Sequence, residues 1–290
     1  MIKSLLKSFF LMLIMGLSIN TYAWNAMGHM VVANIAYQHV TPAVRVKLDK
    51  LLASFAKEYP QDATLVKMSS WPDALHGQHV ELYSHWHYID LALSTDGTPT
   101  KDLTDSDNAV WAVNLIKPVI QNAHANPYEQ SRFLAFLVHI VGDLHQPLHT
   151  VSRITAAHPD GDKGGNLFSV RRSVGNGGAV SLHKFWDDGA GLLDGDETQE
   201  KIDALSQQAT TSYPEPFFGA KATDLNPEHW AKEGYDMAAK AVYGTPENQV
   251  PATSYVEAEK KIVQQQLALA GYRLTNLLNL LLADKTDSLE

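Results

Sequence analysis

The sequence predicts an all-α protein, a mainly helical single domain carrying one small β-hairpin. Apolar residues recur at helical spacing in four separate segments. The C-terminal stretch LALAGYRLTNLLNLLLA is apolar nearly all round, as expected of a helix buried against several neighbours. Only one stretch, NLFSVRRSVGNGGAVSL, reads as strands.

The chain opens on Lys3 and Lys7, a short apolar run over residues 8–19, and Thr21-Tyr22-Ala23. This is the pattern of a secretory signal peptide cleaved after Ala23. A retained membrane anchor, the alternative, needs about 18 to 20 apolar residues, and the uncharged run from Ser8 to Asn20 is shorter. Residues 24–290 are then expected to form one domain, since they contain no internal repeat, low-complexity tract or evident linker. The product is expected to be secreted or periplasmic, monomeric, and free of the membrane once the signal is removed.

Helices are predicted through Gly28 to His39, Pro42 to Phe55, Ala109 to Ile120, Tyr128 to Asp143 and roughly Tyr255 to Ala283. Thr41 followed by Pro42 is an N-cap with a first-turn proline. Loops are expected at Leu93 to Asp107, Ser152 to Gly165 and Ser212 to Pro227, each rich in Asp, Gly, Pro, Thr or Ser. Gly175-Asn176-Gly177-Gly178 supplies the hairpin turn.

With 23 basic against 32 acidic residues, the formal net charge is −9. That excludes coating of duplex nucleic acid by bulk charge, a mode that needs many lysines and arginines against phosphates. The chain has no cysteine and 13 histidines. A secreted protein without disulfides must rely on its core, on bound metal, or on both.

Three clusters carry the chemistry. In HIVGDLHQPLH, His139 and Asp143 are four apart and share a helix face. Pro147 should end the helix near Gln146 and let His149 turn back toward the same pocket. His145 lies on another face and reads as structural. In LHKFWDDG, His183 and Asp187 repeat the four-residue spacing, for which an ordinary surface ion pair is the alternative; Asp188 points elsewhere and has no assigned role. In SSWPDALHGQHVELYSHWHYID, Asp73 follows Pro72 at a turn into a helix, where N-capping competes with ligation. If the segment is extended, His85 and His87 share one face, and spacing does not choose between them. His76 and His79 read as loop residues. Imidazole and carboxylate without thiolate suit zinc rather than calcium or magnesium.

WNAMGH, SWPD, HWHYID, FLVHIVGDLHQPLH, GDKGGN, LHKFWD and AGYRL resemble, in order and spacing, the S1/P1 family of single-strand-specific zinc nucleases. The resemblance spans nearly all of the chain after Ala23. It implies the mostly helical, three-zinc fold shared with bacterial zinc phospholipases C. Asp73, His87, His139 and Asp143 would hold the first zinc, and His149, His183 and Asp187 the second. The third would take the amino nitrogen and carbonyl oxygen of Trp24, His29 and the shared Asp143. Asp73 and Asp143 would be the catalytic carboxylates. The resemblance also selects His87 over His85.

The implied activity is hydrolysis of single-stranded DNA and RNA to 5′-phosphate products, with 3′-nucleotides as further substrates, by in-line attack on phosphorus. Tyr88 stands at the family's base-stacking aromatic, for which a core aromatic is the alternative, and Asp90 at its base-edge acceptor. Lys163 and Asn166 in GDKGGN are expected to orient phosphate or substrate. His76 occupies the position where many members carry an Arg or Lys that contacts phosphate. A phospholipase C on the same fold is the main rival. It is disfavoured by the Trp24 to His29 spacing, by Asp187 where that branch has Glu, and by Tyr88 with Asp90. A non-enzymatic zinc-binding secreted protein is the second rival.

Overall fold

The computed structural model describes residues 24–173 and 178–283, apart from the side chain of His76. The signal-peptide segment and most of the predicted hairpin turn lie outside the described residues. In chain order the elements are α1 (Ala26–His39), α2 (Pro42–Phe55), α3 (Leu65–Met68), α4 (Trp71–Gly77), β1 (Leu91–Ser94), α5 (Ala109–Gln121), α6 (Pro127–Asp143), β2 (Val151–Ile154), β3 (Ser169–Arg171), β4 (Ala179–Ser181), α7 (Leu182–Asp187), α8 (Gln199–Ser212), α9 (Glu215–Phe218), α10 (Pro227–Met237) and α11 (Thr253–Leu282).

Helix starts follow the capping residues. The side chains of Asn25, Thr41, Asn108 and Asn126 accept backbone N–H groups at the starts of α1, α2, α5 and α6, with Pro42 and Pro127 in first turns. The C-terminal end of α5 is closed from outside: Gln130 Nε2 donates to the carbonyls of Ile120 and Asn122 at 3.1 and 2.8 Å.

Helix α1 is the centre of the core. Every residue from Met27 to Ala36 is buried, which requires neighbours on all sides. They come from α11, α8, α3 and α6. At Gly271 of α11 the two helices come close together: a Cβ there would lie 2.4 Å from Ile35 Cγ2. A second apolar cluster gathers Leu148, Val151, Phe168, Leu182, Trp186 and Val242. The elements bearing the candidate histidines and aspartates come from both clusters.

The mainly helical class holds, and β3 and β4 form the predicted antiparallel hairpin, Val170 opposite Val180. The structure differs in four places. β1 and β2 pair in parallel, Leu91 opposite Val151 and Ser94 opposite Ile154, so the hairpin is not the only strand structure. The loops predicted from Leu93 and from Ser152 therefore begin as strand. The stretch predicted as loop from Ser212 contains α9 and a 3₁₀ turn over Gly219–Lys221. Glu81–His87 is a 3₁₀ helix rather than extended chain. His76 lies within α4, whereas His79 is a loop residue with φ of 63°.

Candidate metal centre

The last turns of α6 bring His139 and Asp143 together as the four-residue spacing requires, with His139 Nε2 3.4 Å from Asp143 Oδ2. Both are fully buried. Asp73 does not cap α4; it sits inside the first turn. Its Oδ1 lies 3.3 Å from His139 Nε2 and 3.7 Å from His87 Nδ1. Since a 3₁₀ helix turns once every three residues, His85 and His87 point about 240° apart. His87 is buried and lies 3.3 Å from Asp143 Oδ2. His85 is partly exposed and pairs with Asp107 at 2.9 Å. His29 on α1 completes this side of the site, its Nε2 3.3 Å from Asp143 Oδ1.

Helix α6 ends at Asp143, where the helical pattern predicts, ahead of the limit that Pro147 sets near Gln146. Pro147 then opens a 3₁₀ turn, Pro147–Thr150, capped by Gln146, whose Oε1 accepts Leu148 N–H at 2.6 Å. This turn carries His149 to within 3.0 Å of His183, Nε2 to Nε2. His183 and Asp187 are 3.6 Å apart on α7 and buried, so they are no surface ion pair. Trp24 is buried, and the next residue is held by a bond from Asn25 N–H to the Asp187 carbonyl at 3.1 Å. His145 is structural: its Nδ1 bonds the Val141 carbonyl, and Arg273 donates to its Nε2 at 3.0 Å.

Backbone carbonyls set the tautomers. Nδ1 of His139 donates to Ser69 O, that of His149 to His87 O and that of His183 to Gly164 O, each at 2.7 Å. A carbonyl can only accept, so each Nδ1 carries a proton, and the neutral form of each ring turns an Nε2 lone pair inward. Neither oxygen of Asp143 and neither ring nitrogen of His29 has a hydrogen-bond partner. Buried polar atoms left without partners are costly. A cation would relieve them, and nitrogen and oxygen donors of this kind suit zinc.

Among the described residues, three sets of donor atoms lie close enough to share an ion. They are His29, Asp73 and His139; His87, His139 and Asp143; and His149, His183 and Asp187. The shared His139 joins the first two sets. Ligation through carbonyl-anchored imidazoles is the usual way a metal site fixes ring orientation.

Protein charges alone leave this region unbalanced. Burial, then the neighbouring histidines, hold His29 and His149 below the ordinary imidazole range. Burial also pulls His139 down, but the Asp143 and Asp73 carboxylates outweigh it and push it up to about 9. Burial raises the carboxyls of Asp143 and Asp187.

Of the predicted substrate residues, Tyr88 and Asp90 are half-buried beside the His87 turn, and burial raises the Tyr88 hydroxyl. Burial, then Asp105 and Asp162, push Asp90 up to about 7 against His85 and Lys163. Lys163 is exposed in the loop whose Gly164 carbonyl anchors His183, and Asn166 Nδ2 bonds the Lys163 carbonyl at 2.8 Å. The His76 side chain lies outside the described residues.

Three contributors carry no ligand signal in the sequence. Gln146 Nε2 donates to Asp187 Oδ1 at 2.7 Å. Asp162 secures the Lys163 loop by accepting from Arg153 N–H, Gly165 N–H and the Tyr243 hydroxyl. Asp188 is buried among cations. Gln146 stands within the HQPLH motif, a signal that could have found it.

The profile of a family described as S1/P1 Nuclease matches residues 24–283. Endonuclease 2 of Arabidopsis thaliana is 25% identical over 288 residues, covering 90% of this chain and 91% of its own. Nuclease P1 of Penicillium citrinum is 23% identical over 280 residues, covering 88% and 97% respectively. Nuclease S1 of Aspergillus oryzae is 28% identical over 174 residues, 58% of this chain and 54% of its own.

Proposed function

From a chain that belongs to the S1/P1 nuclease family, we propose a secreted zinc-dependent phosphodiesterase that cleaves single-stranded DNA and RNA to 5′-phosphate products and also hydrolyses 3′-nucleotides. The observation that carries the reading is the set of buried, inward-facing donors around Asp143: His29, His87 and His139 on one side, with the His149, His183 and Asp187 group adjoining.

Three zinc ions are assigned. Asp73, His87, His139 and Asp143 hold one, and His149, His183 and Asp187 a second. His29 and Asp143, with the amine and carbonyl of Trp24, hold the third. Zinc bound there supplies Lewis acidity that activates water near neutral pH and neutralises charge on the phosphoryl and leaving oxygens.

The protein's own part is to hold these donors in one tautomer and orientation and to exclude water from all but the substrate face. Signal removal after Ala23 frees the Trp24 amine, whose ordinary pKa of about 7.7 to 8.0 allows deprotonation by a bound cation. Tyr88 stacks an unpaired base, Asp90 accepts from the base edge, and the Lys163 and Asn166 loop orients phosphate, with His76 contributing a partial charge. A duplex keeps its bases stacked and denies Tyr88 a partner. The net charge of −9 gives no compensating attraction to duplex phosphates.

A zinc count by mass spectrometry on protein beginning at Trp24, paired with a substrate panel, tests the proposal. Three zinc ions per chain and rapid release of acid-soluble nucleotides from heat-denatured DNA, with slow release from native duplex, are expected. Phosphocholine release from lecithin in place of nucleotide release, or inertness toward every substrate, would overturn it.

A further inference from the structure

Asn25 is more than a helix cap. Its Oδ1 accepts Gly28 N–H at 3.2 Å, the ordinary capping bond, which Ser, Thr or Asp would provide as well. Asparagine adds a donor, and Nδ2 uses it twice: toward the Leu193 carbonyl at 3.2 Å and toward Asp188 Oδ1 at 3.4 Å. The backbone N–H of the same residue bonds the Asp187 carbonyl. Both ends of the amide and the backbone are thus committed, three of these bonds reaching across the fold.

Asp188 is the counterpart. It is 4% exposed, and a carboxylate so buried needs partners. Lys184 Nζ lies 2.8 Å from its Oδ1 and 3.1 Å from its Oδ2, and Arg172 Nη2 bonds Oδ2. Arg172 also reaches Asp194 at 3.5 Å. Asp188 therefore ties the end of α7 to the residue after β3 and to the start of α1. Its side chain leaves α7 away from the His183 and Asp187 face, toward the residue that follows Trp24.

We propose that Asn25 and Asp188 are positioning residues that latch the start of α1 to the end of α7, so that Trp24 and His29 are presented to Asp143. The inference rests on the zinc-nuclease reading for what the presented groups hold, but the latch itself is a matter of protein contacts. Its effect is to order the first residues after the cleavage site before any cation arrives, which lowers the ordering cost of a ligand carried on a chain end.

The test compares wild-type protein beginning at Trp24 with the Asn25→Ser and Asp188→Asn variants. Serine keeps the cap and deletes the donor; asparagine keeps the shape and deletes the charge. Zinc affinity is read by chelator competition, and backbone order by hydrogen exchange across Met27 to Val32 in zinc-free protein. In both variants one zinc equivalent is expected to weaken at least tenfold while the others hold, with faster exchange over those residues. An Asn25→Asp variant, which caps but sets two carboxylates together, should lose more than Asn25→Ser. Wild-type affinity and exchange in Asn25→Ser would overturn the latch, and this variant alone decides if Asp188→Asn fails to fold. Fewer than three zinc ions in the wild type would instead sink the three-metal assignment, leaving the exchange comparison to judge the latch.

Discussion

His149 and His183 face each other Nε2 to Nε2 at 3.0 Å, each with its Nδ1 already given to a backbone carbonyl. Two neutral rings so oriented point lone pairs at one another, an arrangement that a shared cation stabilises. Chelation is therefore expected to destabilise the fold as well as stop turnover. A ligand at 1,000 times its Kd adds about 4 kcal/mol, which for a chain of this size corresponds to on the order of 10 °C in Tm. Thermal unfolding with and without a zinc chelator, followed by zinc addition, checks this. An unchanged Tm would show that the pair is held by protein contacts alone.

Asp143 joins two groups of donors. Its Oδ1 faces His29 at 3.3 Å, and its Oδ2 faces His87 and His139 at 3.3 and 3.4 Å. Asp143→Asn puts an amide donor where an acceptor is needed and removes the charge. Gln146→Ala removes the bond that orients Asp187 and the cap of the turn that carries His149, but no proposed ligand, a loss worth about 10- to 100-fold in affinity or activity. Asp143→Asn should exceed that range and shed zinc, whereas Gln146→Ala should stay within it. Side-by-side kcat and metal content would expose a reversed order.

Gly142 precedes Asp143 and lies under the His29 ring. A Cβ built there would stand 2.7 Å from His29 Nδ1 and 3.1 Å from Cε1. Nothing in the backbone forbids alanine, since the residue is helical, and alanine is the better helix former by about 1 kcal/mol. Gly142→Ala is expected to keep α6 and push the His29 ring off Asp143. Circular dichroism should be unchanged while zinc content and activity fall. Retained zinc with full activity would mean that the ring yields without consequence.

The parts of this site legible in the sequence are those fixed by local periodicity. His139 with Asp143, and His183 with Asp187, follow from four-residue spacing on helices whose caps are also readable. β1 and β2 are not legible in this way. LALS and VSRI are four residues each, lie about 60 residues apart, and pair in parallel, so only tertiary contact defines them. The alternation in HWHY suggests an extended segment, yet a 3₁₀ turn wins because it buries Trp86 against Phe133 and Phe136 while aiming His87 inward. The carbonyls of Ser69, His87 and Gly164 that set the tautomers belong to the backbone and leave no residue-type signal.

Asp90 is half-buried with Asp105 and Asp162 nearby, and its carboxyl is pushed up to about 7. Above that pH it is an acceptor; below it, a proton occupies one oxygen and the group becomes a donor. If it reads the base edge as a carboxylate, KM for a short single-stranded substrate should rise several-fold as pH falls from 8 to 6. Asp90→Asn cannot titrate and should show a flat KM over the same range. Parallel pH profiles of the two proteins would count against this role for Asp90.

Glu259 on α11 is 1% exposed, and neither carboxyl oxygen has a partner. Burial, opposed by Lys260, raises it from 4.5 to about 9. The folded state therefore holds a proton there that the unfolded chain releases above pH 4.5. The sign follows from linkage: the folded protein binds more protons between the two values, so stability falls as pH rises. The contribution is full below pH 4.5 and spent above about 9, with a limiting slope of about 1.4 kcal/mol per pH unit. Glu259→Gln is neutral throughout. Its urea midpoint relative to wild type, measured with chelator in every sample at pH 5, 7 and 9, should move steadily in favour of the variant. A difference independent of pH would show that Glu259 ionises as an exposed acid does.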